Sequence, residues 1–179
     1  MREVRAVGLS LVLCGLTGCS FTSATTVPIN ALTPQPSGPV ALALKRFQTN
    51  APWALADERG QVVLLDIWAT WCEACRDVLP QYAQLQTRYA DRGLKVYAVT
   101  VDADAHEVEQ FIAETHLTLP VLSDPDAHAA ESVLKVKLMP TSFLVDRRGV
   151  IRFTHEGVSD DLLATEMREL ETLLAEPAP

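Results

Sequence analysis

Two cysteines are the residues of this chain best placed to do chemistry. Cys72 and Cys75 are separated by Glu73 and Ala74, and they follow the apolar run 61–68. A Cys-x-x-C pair between a strand and the start of a helix is typical of redox-active thiols. Free backbone N–H groups and the helix dipole favour the thiolate of Cys72, which is the form that attacks a disulfide. We therefore predict that Cys72 attacks and that Cys75, one helical turn later, resolves the mixed disulfide.

A carboxyl group interrupts the strand before this pair. Asp66 stands between the apolar segments VVLL and IW, so we expect its side chain to be buried. A buried carboxyl group is costly to ionise and tends to remain protonated. A buried Asp that is hydrogen-bonded only to backbone groups is the alternative interpretation.

Metal binding and a purely structural disulfide are the competing interpretations of the cysteine pair. Zinc needs four ligands, but the chain has no second Cys-x-x-C and its histidines are scattered. A structural disulfide that closes so small a loop would constrain the unfolded chain very little. A copper site of two Cys and one His is a third possibility. We predict no metal site.

Alternating strand and helix patterns supply the frame for these residues. Strands are predicted at 61–68, 94–101, 119–122, 141–145 and 150–154, and helices at 74–89, 104–115 and 126–134. Ser159 is the predicted N-cap of a last helix, whose inward face comprises Leu163, Met167, Leu170 and Leu174. This order predicts parallel strands joined by helical crossovers, followed by an antiparallel hairpin.

The N-terminal segment is typical of an export signal. Residues 1–18 carry a short basic start and an apolar stretch too short to span a membrane. The motif Leu16-Thr17-Gly18-Cys19 resembles a bacterial lipobox, which implies that Cys19 is lipidated. Residues 19–40 are rich in Thr, Ser and Pro and are predicted to be a flexible tether. Residues 41–176 then form the folded domain.

Length and charge exclude several classes of protein. The chain has 179 residues, with 15 basic and 23 acidic side chains and a net charge of −8. One domain is expected at this length. The acidic balance argues against a general nucleic-acid binder or a polybasic membrane binder. No run of 18 or more apolar residues is present, which argues against an ordinary transmembrane span.

The motifs together resemble a known family, the thioredoxin superfamily and its TlpA/ResA-like branch of membrane-tethered thiol-disulfide oxidoreductases. The matching residues are Asp66-Ile67-Trp68-Ala69-Thr70-Trp71-Cys72-Glu73-Ala74-Cys75, Pro80, Met139-Pro140-Thr141 and Phe143-Leu144-Val145-Asp146. The resemblance implies an α/β thioredoxin-like fold, with a central mixed β-sheet flanked by helices.

The resemblance also implies roles for residues around the cysteines. Pro140 would be a cis proline beside the pair, and together with Met139 and Thr141 it would bind substrate. Asp66 would be the general base for Cys75. Trp71 is predicted to lie on an apolar docking face, with core packing as the alternative. Many relatives carry Asn at the position of Asp66 and a Glu in the helix at the position of Val78, so the chain departs from that branch here.

The function implied by the resemblance is reduction of disulfides in exported proteins. The Cys72–Cys75 disulfide would serve as the redox group, with no bound cofactor. Expected partners are disulfide-bearing exported proteins, such as cytochrome c maturation or copper-assembly clients, and a membrane thiol transporter of the DsbD or CcdA type. The expected location is the bacterial periplasm, on a lipid anchor, with Ser20 favouring the outer membrane. An oxidant or isomerase, and a non-catalytic copper-binding or interaction module, are the alternatives.

Overall fold

The computed structural model describes residues 38–179. The predicted signal segment 1–18, Cys19 and most of the predicted tether lie outside these residues. The last residue of that tether, Val40, is partly buried, and its backbone N–H donates to the carbonyl of Gly149 at 3.0 Å. No helix within the described part of the chain is long and apolar enough to cross a membrane.

A seven-stranded mixed sheet forms the centre of the domain. Its spatial order is β2-β1-β5-β4-β3-β6-β7. The strands are β1 (Ala43–Arg46), β2 (Pro52–Ala54), β3 (Val62–Trp68), β4 (Leu94–Thr100), β5 (Val121–Ser123), β6 (Thr141–Val145) and β7 (Ile151–Glu156). Strands β3, β4 and β5 are parallel, whereas β6 runs antiparallel to both β3 and β7. The predicted parallel core and C-terminal hairpin are therefore confirmed.

Three helices cover one face of the sheet. They are α1 (Glu73–Tyr89), α2 (Ala105–Thr115) and α3 (Leu162–Ala175). Their apolar residues form one core with alternate residues of β3, including Leu64 and Trp68. The intervening residues, such as Leu65 and Ile67, pack on the opposite face against short helical segments. The fold is thus a mixed sheet flanked by helices, as predicted.

Strand β3 is the central positioning element. All seven of its residues are buried, because it is paired on both edges and covered on both faces. Such a strand is expected to be a continuous apolar run, and Asp66 is its one exception. Its carboxyl end leads directly into the cysteine pair at the start of α1.

Several predicted elements differ from the structure. Strands β1 and β2 were not predicted, because they are short and carry no sustained apolar alternation. The helix predicted at 126–134 is a single π-helical turn at Ala129–Val133, and the strand predicted at 119–122 is β5.

The start and the inward face of the last helix also differ from the prediction. Ser159 is not the N-cap, because α3 begins at Leu162 after Asp161, and the hydroxyl of Ser159 donates to the carboxylate of Asp161 at 2.9 Å. Leu163 and Met167 are only partly buried. The fully inward residues are Leu162, Glu166, Leu170, Leu173 and Leu174.

Candidate active site

The two cysteines are joined as a disulfide at the N-terminal end of α1. Their Cα atoms are 5.4 Å apart, and Cys72 is the N-cap residue of the helix. Cys72 is 7% exposed, whereas Cys75 is completely buried. Of the two residues, only Cys72 has any surface exposed to solvent. The arrangement makes Cys72 the accessible member of the pair and Cys75 the sheltered one.

The loop before the pair is held in place by a buried carboxylate. Asp102 accepts hydrogen bonds from the backbone N–H of Thr70 at 2.8 Å and from its hydroxyl at 3.0 Å. It also accepts from the hydroxyl of Thr100, at 2.7 Å, at the end of β4. Sequence reasoning missed Asp102. Its position just after a strand parallel to β3 was the available signal, since the carboxyl ends of parallel strands meet at one edge of the sheet.

The two tryptophans of this segment have opposite environments. Trp71 is 69% exposed beside Cys72, whereas Trp68 is fully buried, with its ring centroid 4.6 Å from that of Phe111. A groove next to the pair is lined by Trp71, Ile67, Val136 and Met139. Glu131 and Lys137 also line this largely apolar groove, and the ring of Trp71 adds exposed apolar surface beside it.

Residues 139–141 lie beside the end of β3. The peptide bond between Met139 and Pro140 is cis, and Thr141 is paired with Ile67 in the β3–β6 ladder. Pro140 is buried and its carbonyl accepts from the backbone N–H of Gly157 at 2.7 Å. Strand pairing thus brings Met139, Pro140 and Thr141 to the same end of the sheet as the cysteines.

Asp66 is completely buried on the helix-covered face of β3. Neither of its carboxyl oxygens has a hydrogen-bond partner in the described structure. Burial raises the pKa of this carboxyl group well above its usual value, and the nearby charge of Glu166 raises it further. The predicted burial of Asp66 is confirmed, but it has no bonds to backbone groups. Its role as a general base stays a prediction.

A second buried carboxyl group, Glu166, approaches from α3. It is completely buried, and its Oε1 accepts hydrogen bonds from the hydroxyl of Tyr82 at 2.8 Å and from the hydroxyl of Ser142. Its Oε2 has no partner among the described residues. Burial raises the pKa of Glu166, while the two hydroxyl donors oppose that rise. Sequence reasoning missed Glu166, although it lies four residues after Leu162 and four before Leu170 on an otherwise apolar stripe.

A polar row crosses three neighbouring strands beneath α3. Asp66 on β3 is paired with Ser142 on β6, which is paired with His155 on β7. The Nε2 of His155 lies 2.6 Å from a carboxylate oxygen of Glu169 on α3. Glu166 and Glu169 therefore meet this row one helical turn apart. The helix position where relatives carry a Glu holds Val78, which is buried.

No group of three or more potential metal ligands occurs in residues 38–179. Within that range the cysteine pair therefore lacks the additional ligands that zinc requires. A disulfide-forming pair at the N-terminal end of a helix, with one residue partly exposed and the other buried, is an arrangement suited to thiol-disulfide exchange.

Comparison with known proteins agrees with this geometry. The Redoxin family model matches residues 34–174. The thiol-disulfide oxidoreductase ResA of Oceanobacillus iheyensis is 33% identical over 125 residues, which cover 70% of this chain and 62% of that protein. The thioredoxin-like protein YneN of Bacillus subtilis is 37% identical over 107 residues, covering 58% and 61%. The chain thus spans about three fifths of the length of the curated relatives it matches.

Solved structures show the same fold. A candidate thiol:disulfide interchange protein, DsbE, from Chlorobium tepidum superposes with a TM-score of 0.72 at 31% identity, covering 79% of this chain and 100% of that one. StoA from Bacillus subtilis superposes with a TM-score of 0.61 at 24% identity, covering 76% and 99%. The chain therefore belongs to the Redoxin family and is a TlpA/ResA-like member of the thioredoxin superfamily.

Proposed function

We propose that this protein is a thiol-disulfide oxidoreductase that reduces disulfides in exported proteins. The observation that carries the proposal is the unequal exposure of the pair: Cys72 is accessible at the start of α1, and Cys75 is sealed behind it. This asymmetry separates an attacking thiol from a resolving one. The names of the similar ResA and DsbE proteins describe the same class of reaction.

The reaction uses the two sulfur atoms as its redox group and needs no other cofactor. The thiolate of reduced Cys72 attacks a substrate disulfide, and one substrate sulfur leaves as a thiolate. Cys75 then gives up its proton to Asp66, which acts as the general base, and attacks the sulfur of Cys72. This step forms the Cys72–Cys75 disulfide and releases the second substrate thiolate. Two electrons pass from the protein to the substrate.

The substrate docks on the apolar face next to the pair. Trp71 presents an exposed ring, and Met139 lines the adjoining groove. An extended substrate chain pairs with the backbone of Met139 and Pro140, and Thr141 continues this segment into β6. The partners are disulfide-bearing exported proteins, including cytochrome c maturation or copper-assembly clients.

Location and reducing power complete the proposal. The lipobox-like motif supports a periplasm-facing protein anchored through lipidated Cys19, with Ser20 favouring the outer membrane. A membrane thiol transporter of the DsbD or CcdA type re-reduces the Cys72–Cys75 disulfide. The negative charge of Glu73 beside Cys72 disfavours the thiolate, which makes the pair more reducing.

The deciding experiment is the reduction potential of the Cys72–Cys75 pair, equilibrated against dithiothreitol or glutathione. A value near or below about −230 mV supports a reductase, whereas a value near about −120 mV identifies an oxidant and refutes the proposed direction.

Cys75→Ser is expected to trap substrates as mixed disulfides through Cys72, and Cys72→Ser is the matched control that should trap none. If the pair does not cycle, the enzyme proposal fails, and binding of Cu(I) is then the property to titrate.

A further inference from the structure

The buried carboxyl groups of β3 and α3 share one polar neighbour. Ser142 lies directly opposite Asp66 in the β3–β6 ladder, and its hydroxyl donates to Glu166. Both carboxyl groups are completely buried in the same layer between the sheet and the helices. The other groups facing them are Tyr82 from α1, His155 from β7 and Glu169 from α3.

The two carboxyl groups differ in which protonation state their surroundings favour. Hydrogen bonds donated to a carboxylate stabilise its charged form, and Glu166 receives two, from Tyr82 and Ser142. Asp66 receives none. Two buried carboxylates close together do not both ionise readily. When the pair holds a single proton, that proton therefore resides on Asp66, and Glu166 carries the negative charge.

This distribution has a consequence for resolution by Cys75. A protonated Asp66 can accept the proton of Cys75 only if it gives up the proton that it already carries. The charged carboxylate of Glu166 is the neighbouring group that can accept that second proton. Burial raises the pKa of Tyr82 well above its usual value, and the charge of Glu166 raises it further. The hydroxyl of Tyr82 therefore remains a donor to Glu166 and does not compete for the proton.

Glu166 is buried, but unlike Asp66 it borders a pocket. A pocket of about 130 Å³ opens between α1 and the segment leading into α3, and Tyr82, Asp160 and Glu166 are among the residues that line it. Water molecules occupy about 30 Å³ each in the liquid, so the pocket has room for several. Asp66 does not line this pocket.

We propose that Glu166 is the net proton acceptor when Cys75 resolves the mixed disulfide, acting through Asp66 and returning the proton to solvent through this pocket. The inference rests on the proposed function. The S–H bond of Cys75 breaks as its proton passes to Asp66, and Asp66 passes its own proton to Glu166. The sulfur of Cys75 then bonds to that of Cys72, and the substrate sulfur leaves with the electron pair. Glu166 is a positioning residue in this scheme, because it does not touch the reacting sulfur atoms.

The test separates attack from resolution. Reduced protein is mixed by stopped flow with the disulfide reagent 5,5′-dithiobis(2-nitrobenzoate). Attack by Cys72 releases one coloured thiolate, and resolution by Cys75 releases the second. We expect Glu166→Gln to leave the first phase unchanged and to slow the second at least tenfold at pH 7. Glutamine retains the hydrogen bonds from Tyr82 and Ser142 but accepts no proton.

Glu171→Gln is the matched control, since it removes a half-exposed carboxylate of the same helix that is paired with Arg92. An equal loss in this variant would attribute the effect to α3 and overturn the proposal. If the second phase of Glu166→Gln keeps its rate and its pH midpoint only moves lower, Asp66 alone is the base, and the proposal is wrong. If the wild-type protein shows no second phase at all, the proposed function fails instead.

A milder variant covers the case in which Glu166→Gln does not fold. Ser142→Ala removes one hydrogen bond from the charged form of Glu166, which raises the pKa of that carboxyl group. The pH profile of the second phase should then shift to higher pH, with the first phase unchanged. An unshifted profile in Ser142→Ala would contradict the role of Glu166, because a purely structural contact has no reason to govern the pH dependence of one step.

Discussion

Replacing Asp66 by Asn should make the folded protein relatively more stable as the pH rises. Burial holds the pKa of Asp66 well above its value of about 3.9 in an unfolded chain. Between these two pKa values the unfolded chain loses this proton while the folded protein keeps it. Stability therefore falls as the pH rises through this window. Asp66→Asn removes the ionisation and with it this contribution to the pH dependence.

The size of the effect follows from proton linkage. While the folded carboxyl group stays protonated, one proton contributes about 1.36 kcal/mol per pH unit. The free energy of unfolding of Asp66→Asn relative to wild type should therefore grow by about 1.3 kcal/mol between pH 5 and pH 6. Urea denaturation of the oxidised proteins at both pH values measures this difference. Asp91→Asn, at an exposed position, serves as the control.

A difference that stays constant between pH 5 and pH 6 would show that Asp66 is already ionised in the folded protein. The reasoning on its buried, unpartnered carboxyl group would then be wrong. The relay through Glu166 would also lose its starting point, because an ionised Asp66 can accept the proton of Cys75 by itself.

Two further predictions concern the segment around the cysteines. Trp68→Ala should lower the free energy of unfolding by about 3–5 kcal/mol, because it empties a fully buried site packed on Phe111. Trp71→Ala removes an exposed ring, so it should change the free energy of unfolding by no more than about 0.5 kcal/mol and should instead raise the KM for protein substrates. Equal losses of stability in the two variants would contradict the different environments assigned to Trp68 and Trp71. Asp102→Ala should cost about 1–3 kcal/mol in urea denaturation, since it leaves the hydrogen bonds of Thr70 unmade. It should also change the rate of the first, attacking phase, and an unchanged rate would show that Asp102 does not position the loop.

The sequence was sufficient for the parts of the fold that rest on long apolar patterns. Strand β3 could be predicted because it is a nearly continuous apolar run, and helix α1 because its buried residues recur at helical spacing. The short strands β1 and β2 could not, because they are held by pairing with β5 and with each other rather than by a pattern of their own. Their presence depends on the sheet that they extend.

The residues of the candidate site also differ in how far the sequence could predict them. Asp66 could be found because a charged residue inside an apolar strand is conspicuous. Glu166 and Asp102 could not be assigned, because a carboxylate on a helix or in a loop is ordinarily solvated. Only the pairing of β3 with β6 and the docking of α3 bring Glu166 to Asp66. The correct inward face of α3 begins at Leu162 rather than Leu163, and this one-residue offset decides whether Glu166 faces water or the core.

The position of β6 in the sheet has a consequence for how the chain matures. Strand β6 lies next to β3 in the sheet, yet about two fifths of the chain separates them in sequence, including β4 and β5. Contacts between residues so distant in sequence form slowly, because a long loop must close first. During synthesis the N-terminal part of the chain emerges first. The core that contains Cys75 includes residues of β6 and α3, so it is complete only after these last elements have docked. Until these elements have docked, the thiols of Cys72 and Cys75 can both form disulfides with an incorrect cysteine partner.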